Sequence, residues 1–101
     1  MARTNYEITH SKNLNTLEEN IRVMLSGEDF EAALYQGEIV WKSQKENNAA
    51  SYIKVRYTDE TVLVSAWICK EGEEFDLSGD DNALSKKRLY EIILKIQTLS
   101  K

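Results

Sequence analysis

Residues 51–70 read SYIKVRYTDETVLVSAWICK. Apolar and polar residues alternate on both sides of a polar break at 58–60, the period of two expected of half-buried strands. A tight turn of even length centred on Asp59-Glu60 pairs Tyr57 with Val62, Val55 with Val64 and Ile53 with Ala66, which makes one apolar face. The other face then carries Tyr52 opposite Trp67, Lys54 opposite Ser65 and Arg56 opposite Leu63. A slip of one residue would turn Leu63, Ser65 and Trp67 to the core. That slip usually needs a three-residue loop with a left-handed residue, most often glycine, and none is present here. A four-residue loop of the same parity serves as well as the two-residue turn.

Working outward, RTNYEITH near the amino terminus alternates Tyr6 and Ile8 with polar neighbours and reads as a half-buried strand. NLNTLEENIRVMLSG follows, with Leu14, Leu17, Ile21, Met24 and Leu25 on one helical stripe. Asn13 or Asn15 caps its start, and Ser26-Gly27 is expected to close it. FEAALYQGEIVWKSQ reads as two short strands about Gln36-Gly37. After the quoted hairpin, a short strand at 74–77 is expected to complete the count, followed by a helix with Leu89, Ile92, Ile93, Ile96 and Leu99 at helical spacing.

The order predicts a single α+β domain over residues 1–101, β-α-β(4)-α, with an antiparallel sheet and both helices packed on one face. That order resembles the TATA-binding-protein-like fold, an analogy of element order alone.

The composition narrows the function classes. With 101 residues, a net charge of −4 and a pI near 5.0, the chain lacks the basic surface typical of nucleic-acid binders, though a local basic patch is compatible with it. One cysteine forms no internal disulfide. No stretch approaches the roughly 18 apolar residues of a membrane span, and the amino terminus has no signal-peptide pattern. A soluble cytoplasmic protein without membrane contact is expected.

The face with Tyr52, Lys54, Arg56, Leu63 and Trp67 has two readings. Cross-strand aromatic pairs stabilise a hairpin by roughly 0.2–1 kcal/mol, and the cations solvate it. Grouped aromatics with arginine are also favoured at interfaces, which makes this face a candidate binding or dimerisation surface.

Candidate chemistry is sparse. His10 and Cys69 are the only histidine and cysteine, too few for a structural zinc site, and they are expected as a solvent-facing imidazole and a packed thiol. The four glycines are isolated at turns, so no phosphate loop occurs. Asp76, Ser78 and Asp80 mimic the first ligands of a calcium loop, but Asp81 and Lys87 stand where glycine and glutamate are needed. A solvated acidic connector over 71–81 is the simpler reading. Lys86, Lys87 and Arg88 form the only basic run. If Ser85 caps the last helix they make an anion site at its positive end. If the helix starts near Asp81 or Asn82, acidic neighbours offset the lysines and Lys87 faces Glu91.

YQGEIVWK at 35–42, YIKVRY at 52–57, VSAWI at 64–68 and KKRLYEIILKI at 86–96 together resemble small uncharacterised domains of Gram-positive bacteria, some attached to a zinc ribbon. The resemblance covers roughly the last two thirds of the chain. It implies one α+β domain and no particular reaction. The longer, glycine-rich apolar loop of that family is replaced here by a short acidic link, and no zinc ribbon is present.

The expected function is a non-catalytic binding or interaction module without cofactor or metal, acting on a protein partner or as a homodimer through the sheet. The alternative is a single-stranded nucleic-acid platform, with Trp67 and Tyr52 stacking and Lys54 and Arg56 holding phosphate. A small enzyme comes third, since no acid, base and nucleophile group together.

Overall fold

The computed structural model describes residues 3–44, 49–77 and 83–101, without the side chains of residues 83 and 84. The elements are β1 (Thr4–Thr9), α1 (Leu14–Gly27), β2 (Glu31–Tyr35), β3 (Glu38–Ser43), β4 (Ala50–Tyr57), β5 (Thr61–Lys70), β6 (Glu73–Phe75) and α2 (Ala83–Leu99). Five strands, not four, lie between the helices. The short strand expected at 74–77 forms at Glu73–Phe75 because Glu71 and Gly72 both take positive φ and fold it back on β5.

All pairings are antiparallel, in the order β1-β5-β4-β3-β2, with β6 also on β5. The β4–β5 register is the expected one: Tyr57 faces Val62, Val55 faces Val64, Ile53 faces Ala66, and Tyr52 faces Trp67. Thr58 donates its N–H to the Thr61 carbonyl at 2.8 Å, which leaves Asp59-Glu60 as a two-residue turn. The Thr58 hydroxyl accepts from the Thr61 N–H and steadies a turn that lacks glycine.

Ile53, Val62, Val64, Ala66 and Ile68 share one buried cluster with Leu17, Ile21 and Leu25 of α1 and Leu89, Ile92, Ile93 and Ile96 of α2. Val55 and Tyr57 pack against it and stay half-buried. Asn13 caps α1, its side-chain oxygen accepting from the Thr16 N–H at 3.2 Å. The end of α1 departs from expectation. Gly27 remains helical, and the left-handed residue is Asp29, with φ of 67°. The Phe30 N–H then reaches the Leu25 carbonyl and the Asp29 N–H reaches that of Ser26, a Schellman closure that also turns Phe30 into the core.

Candidate functional site

On the opposite sheet face, Tyr52 and Trp67 stack as the register requires, with ring centroids 5.4 Å apart and planes 8° from parallel. Neither is open to solvent: Trp67 is 0% exposed and Tyr52 7%. This corrects the expectation of an exposed aromatic platform, and the cause is two residues outside the hairpin. Tyr35 leans in from β2, with ring centroids 4.6 Å from Tyr52 and 5.5 Å from Trp67. Arg3 covers the indole from the other side, its guanidinium carbon 3.8 Å from the ring centroid. Val40 and Ala50 complete a second, smaller core on this face.

The topology explains why Arg3 arrives there. Thr4 faces Ala66 on β1–β5 and Phe75 faces Ile68 on β5–β6, so both strands lie along β5 and leave Trp67 between them. The Leu77 N–H donates to the Thr4 hydroxyl at 2.9 Å, which ties the two strands together. Glu74 sits opposite Cys69, on the face that also carries Trp67. Arg3 donates Nε–H and an Nη2–H to the two Glu74 oxygens at 3.1 and 3.2 Å, a forked pair stacked on an aromatic plane. The Tyr35 hydroxyl donates to the same carboxylate at 2.7 Å. These hydrogen bonds, Arg3's first, hold the Glu74 carboxyl below the usual carboxylate range, while burial pushes the Tyr35 phenol up. The arrangement is a closed clamp, with its donors and acceptors turned on one another. The indole N–H of Trp67 is buried without a partner among the described residues, so packing and the cation above the ring must offset its desolvation.

The remaining residues of this face are more open. Lys54 is held by Glu38 at 2.5 Å, and Glu38 also meets Arg3 at 3.5 Å. Arg56 is exposed, and Leu63 lies half-buried between Arg56 on β4 and Glu7 on β1. A shallow hollow of about 470 Å³ runs over Asn5, Lys54, Arg56, Leu63 and Ser65. It keeps one exposed cation and no exposed ring of the expected pair.

The three cations of the basic run point in different directions. α2 starts at Ala83, two residues before Ser85, so Ser85 is a buried helical residue and not a cap. Successive helical side chains diverge by about 100°. Lys86 is buried, Lys87 is exposed, and Arg88 turns back to α1. There Arg88 donates to the Ser43 hydroxyl at 2.7 Å and to the Glu28 carbonyl, with its guanidinium 4.8 Å from the Phe30 ring centroid. It closes the end of α1 against the sheet.

His10 is buried, contrary to the solvent-facing reading. Its Nε2–H donates to the Thr58 carbonyl at 3.0 Å and its Nδ1 accepts from the Lys12 N–H at 3.1 Å, so it fastens the β4–β5 turn. Cys69 belongs to the other end of β5, beside Tyr35, far from His10. Among the described residues no group of three histidine, cysteine, aspartate or glutamate side chains could hold a metal. Ser78 and Asp80 of the calcium-like segment lie outside the described residues. Among the described residues no helix is long and apolar enough to cross a membrane.

The two most exposed large apolar side chains among the described residues lie elsewhere. Leu34 and Ile39 face each other across β2 and β3 and are 75% and 78% exposed. They lie on the same sheet face as Trp41 and Val55, and a small hollow beside Ile39 is walled by Glu18 and Arg22 of α1. β2 is also the last strand of the sheet, and no described strand pairs with its outer side. Neither signal was read from the sequence. Leu34 and Ile39 fit the alternation of their strands, and which strand ends the sheet is a matter of topology.

The comparisons with known proteins find no match to this chain among family models, curated proteins or solved structures.

Proposed function

We propose that this chain is a non-catalytic interaction module whose contact surface is the β2–β3 hairpin. The observation that carries the proposal is the Leu34–Ile39 pair, two large aliphatic side chains held side by side in solvent across the terminal hairpin of the sheet. Single exposed apolar residues are ordinary, but a facing pair beside an unpaired backbone edge fits strand addition by a partner. Both helices are read as covering one face of the sheet, since α1 and α2 share a single cluster with β4 and β5. On that reading the hairpin projects beyond them and is free to receive a strand. The resemblance to the Gram-positive domains, on the residues quoted for it, agrees with a small α+β module.

The nucleic-acid alternative fits the geometry less well. Burial of Trp67 and Tyr52 removes the stacking pair on which it depended, and Lys54 is already engaged by Glu38.

A photo-crosslinking amino acid placed at Ile39 in the full chain, in the cells that produce it, tests the contact surface. Adducts from position 39, absent when Val23 carries the probe, are the expected result, because Val23 is an exposed aliphatic residue on α1 and not on the hairpin. No adduct at 39, or equal labelling at both positions, would refute the proposal.

A further inference from the structure

We infer that the occupant of the β2 edge is a second copy of this chain, paired antiparallel through β2 about a two-fold axis at Ala33. This rests on reading the hairpin as the contact surface. Gln36 and Gly37 both take positive φ, at 48° and 81°, which makes a two-residue turn of the kind that suits hairpins. Such a turn makes Tyr35 and Glu38 a hydrogen-bonded pair, and the alternation along the ladder makes Ala33 with Val40 and Glu31 with Lys42 hydrogen-bonded as well. Ala32 and Leu34 therefore direct their N–H and C=O groups to the open side. The edge that a second strand meets consists of these two residues.

Self-pairing about Ala33 sets Ala32 of one copy opposite Leu34 of the other, twice. Every outward group of both residues then gains a partner. Registers centred on Ala32 or Leu34 keep the right parity but match only one of the two residues with its like. Side chains agree with the same register. On the helix-side face a row forms from Trp41 and Ala32 to Leu34 and Ile39 of the second copy, apolar throughout, and symmetry repeats it. At the axis Ala33 meets Ala33, small enough for close approach.

Charge selects the antiparallel sense. Asp29 and Glu31 flank the beginning of β2, while Tyr35, Gln36 and Gly37 at its end are uncharged. Antiparallel pairing places Glu31 opposite Tyr35 of the second copy, whereas parallel pairing would set the acidic ends side by side. The middle of β2, Ala32 to Leu34, has none of the charges or prolines that usually keep a sheet edge from pairing. The strip is short, so the dimer forms with rising concentration and is not obligate.

Ala33→Cys in a Cys69→Ser background tests the register. Non-hydrogen-bonded antiparallel partners have Cα atoms about 4.5 Å apart, within disulfide reach of about 4.4–6.8 Å. Mild oxidation should link Ala33→Cys into a dimer and leave Ala32→Cys, which faces Leu34, largely unlinked. Sedimentation of the unmodified chain from micromolar to millimolar concentration should show its mass doubling, and Leu34→Lys should abolish the doubling while keeping the wild-type circular dichroism. A chain that stays monomeric, or equal linking at positions 32 and 33, would overturn the inference. If the chain is monomeric yet the probe at Ile39 attaches to a different protein, the contact surface stands and the second copy does not. If the probe attaches to nothing, both fall.

Discussion

Arg3 lies on the Trp67 ring, 3.8 Å from its centroid, while gripping both oxygens of Glu74. One side chain thereby seals the indole and joins the start of β1 to β6. Arg3→Lys keeps the charge but loses both the fork and the planar stack. Arg3→Ala leaves the nearly buried Glu74 carboxylate without its cation, a loss expected to cost about 3 kcal/mol. In a Trp41→Phe background, Arg3→Ala should also shift Trp67 emission to the red. Urea melts of both variants check this, and a midpoint unchanged by Arg3→Ala would count against the clamp.

Glu74 is held below the usual carboxylate range, chiefly by its hydrogen bond from Arg3. A carboxyl whose folded value lies below its unfolded value of about 4.3 contributes stability above that pH. The contribution disappears as pH falls through the folded value. Glu74→Gln should therefore be less stable than wild type at neutral pH, and the difference should shrink with acidification below about pH 4. Denaturation curves across that range are the measurement.

Burial, with Glu18 nearby, pushes the Tyr57 phenol up to about 12. A folded value above the ordinary 10 means that stability is fully present below about pH 10 and is lost as pH rises through the folded value. Tyr57→Phe removes the titrating proton, so its melting temperature should fall less steeply between about pH 10 and pH 12. Parallel slopes for the two proteins would show that Tyr57 titrates alike in both states.

Ile93 and Trp67 lie in the two separate cores and are 2% and 0% exposed. Ile93→Ala should cost about 2–5 kcal/mol and Trp67→Ala about 3–5 kcal/mol. The second value distinguishes a sealed core from an open platform, where the loss would stay within about 1 kcal/mol. Equilibrium unfolding of both variants decides between them.

The hairpin register was legible because Ile53, Val55, Val62 and Val64 alternate without ambiguity and the turn has no residue suited to a bulge. The helical stripes through Ile21 and Ile93 were legible for a similar reason. What sequence patterning missed is the covering of the outer face. Trp67 opposite Tyr52 has the alternation of an exposed pair, and its burial depends on Arg3 and Tyr35 arriving from strands that only the topology brings near. The left-handed residue after α1 was placed on Gly27 by its conformational freedom. The Phe30 N–H, reaching back to Leu25, places it at Asp29 instead. The β2 edge was invisible for the same reason as the clamp, since alternation says which face a residue takes and not which strand comes last.

During synthesis β1 leaves the ribosome before the other described elements, yet its partner β5 comes late. Asn5 meets Ser65 across an interval of 60 positions. α1 and the β2–β3 hairpin close through near neighbours, at little cost in chain entropy, so they can assemble while β5 is still unmade. Through that interval Tyr6 and Ile8 have no strand to lie against, and Trp67 on emerging lacks the forked carboxylate that holds Arg3 over it until Glu74 follows. The earliest strand is thus a guest waiting on the latest ones, and a nascent chain halted before β6 would display the indole that the finished protein conceals.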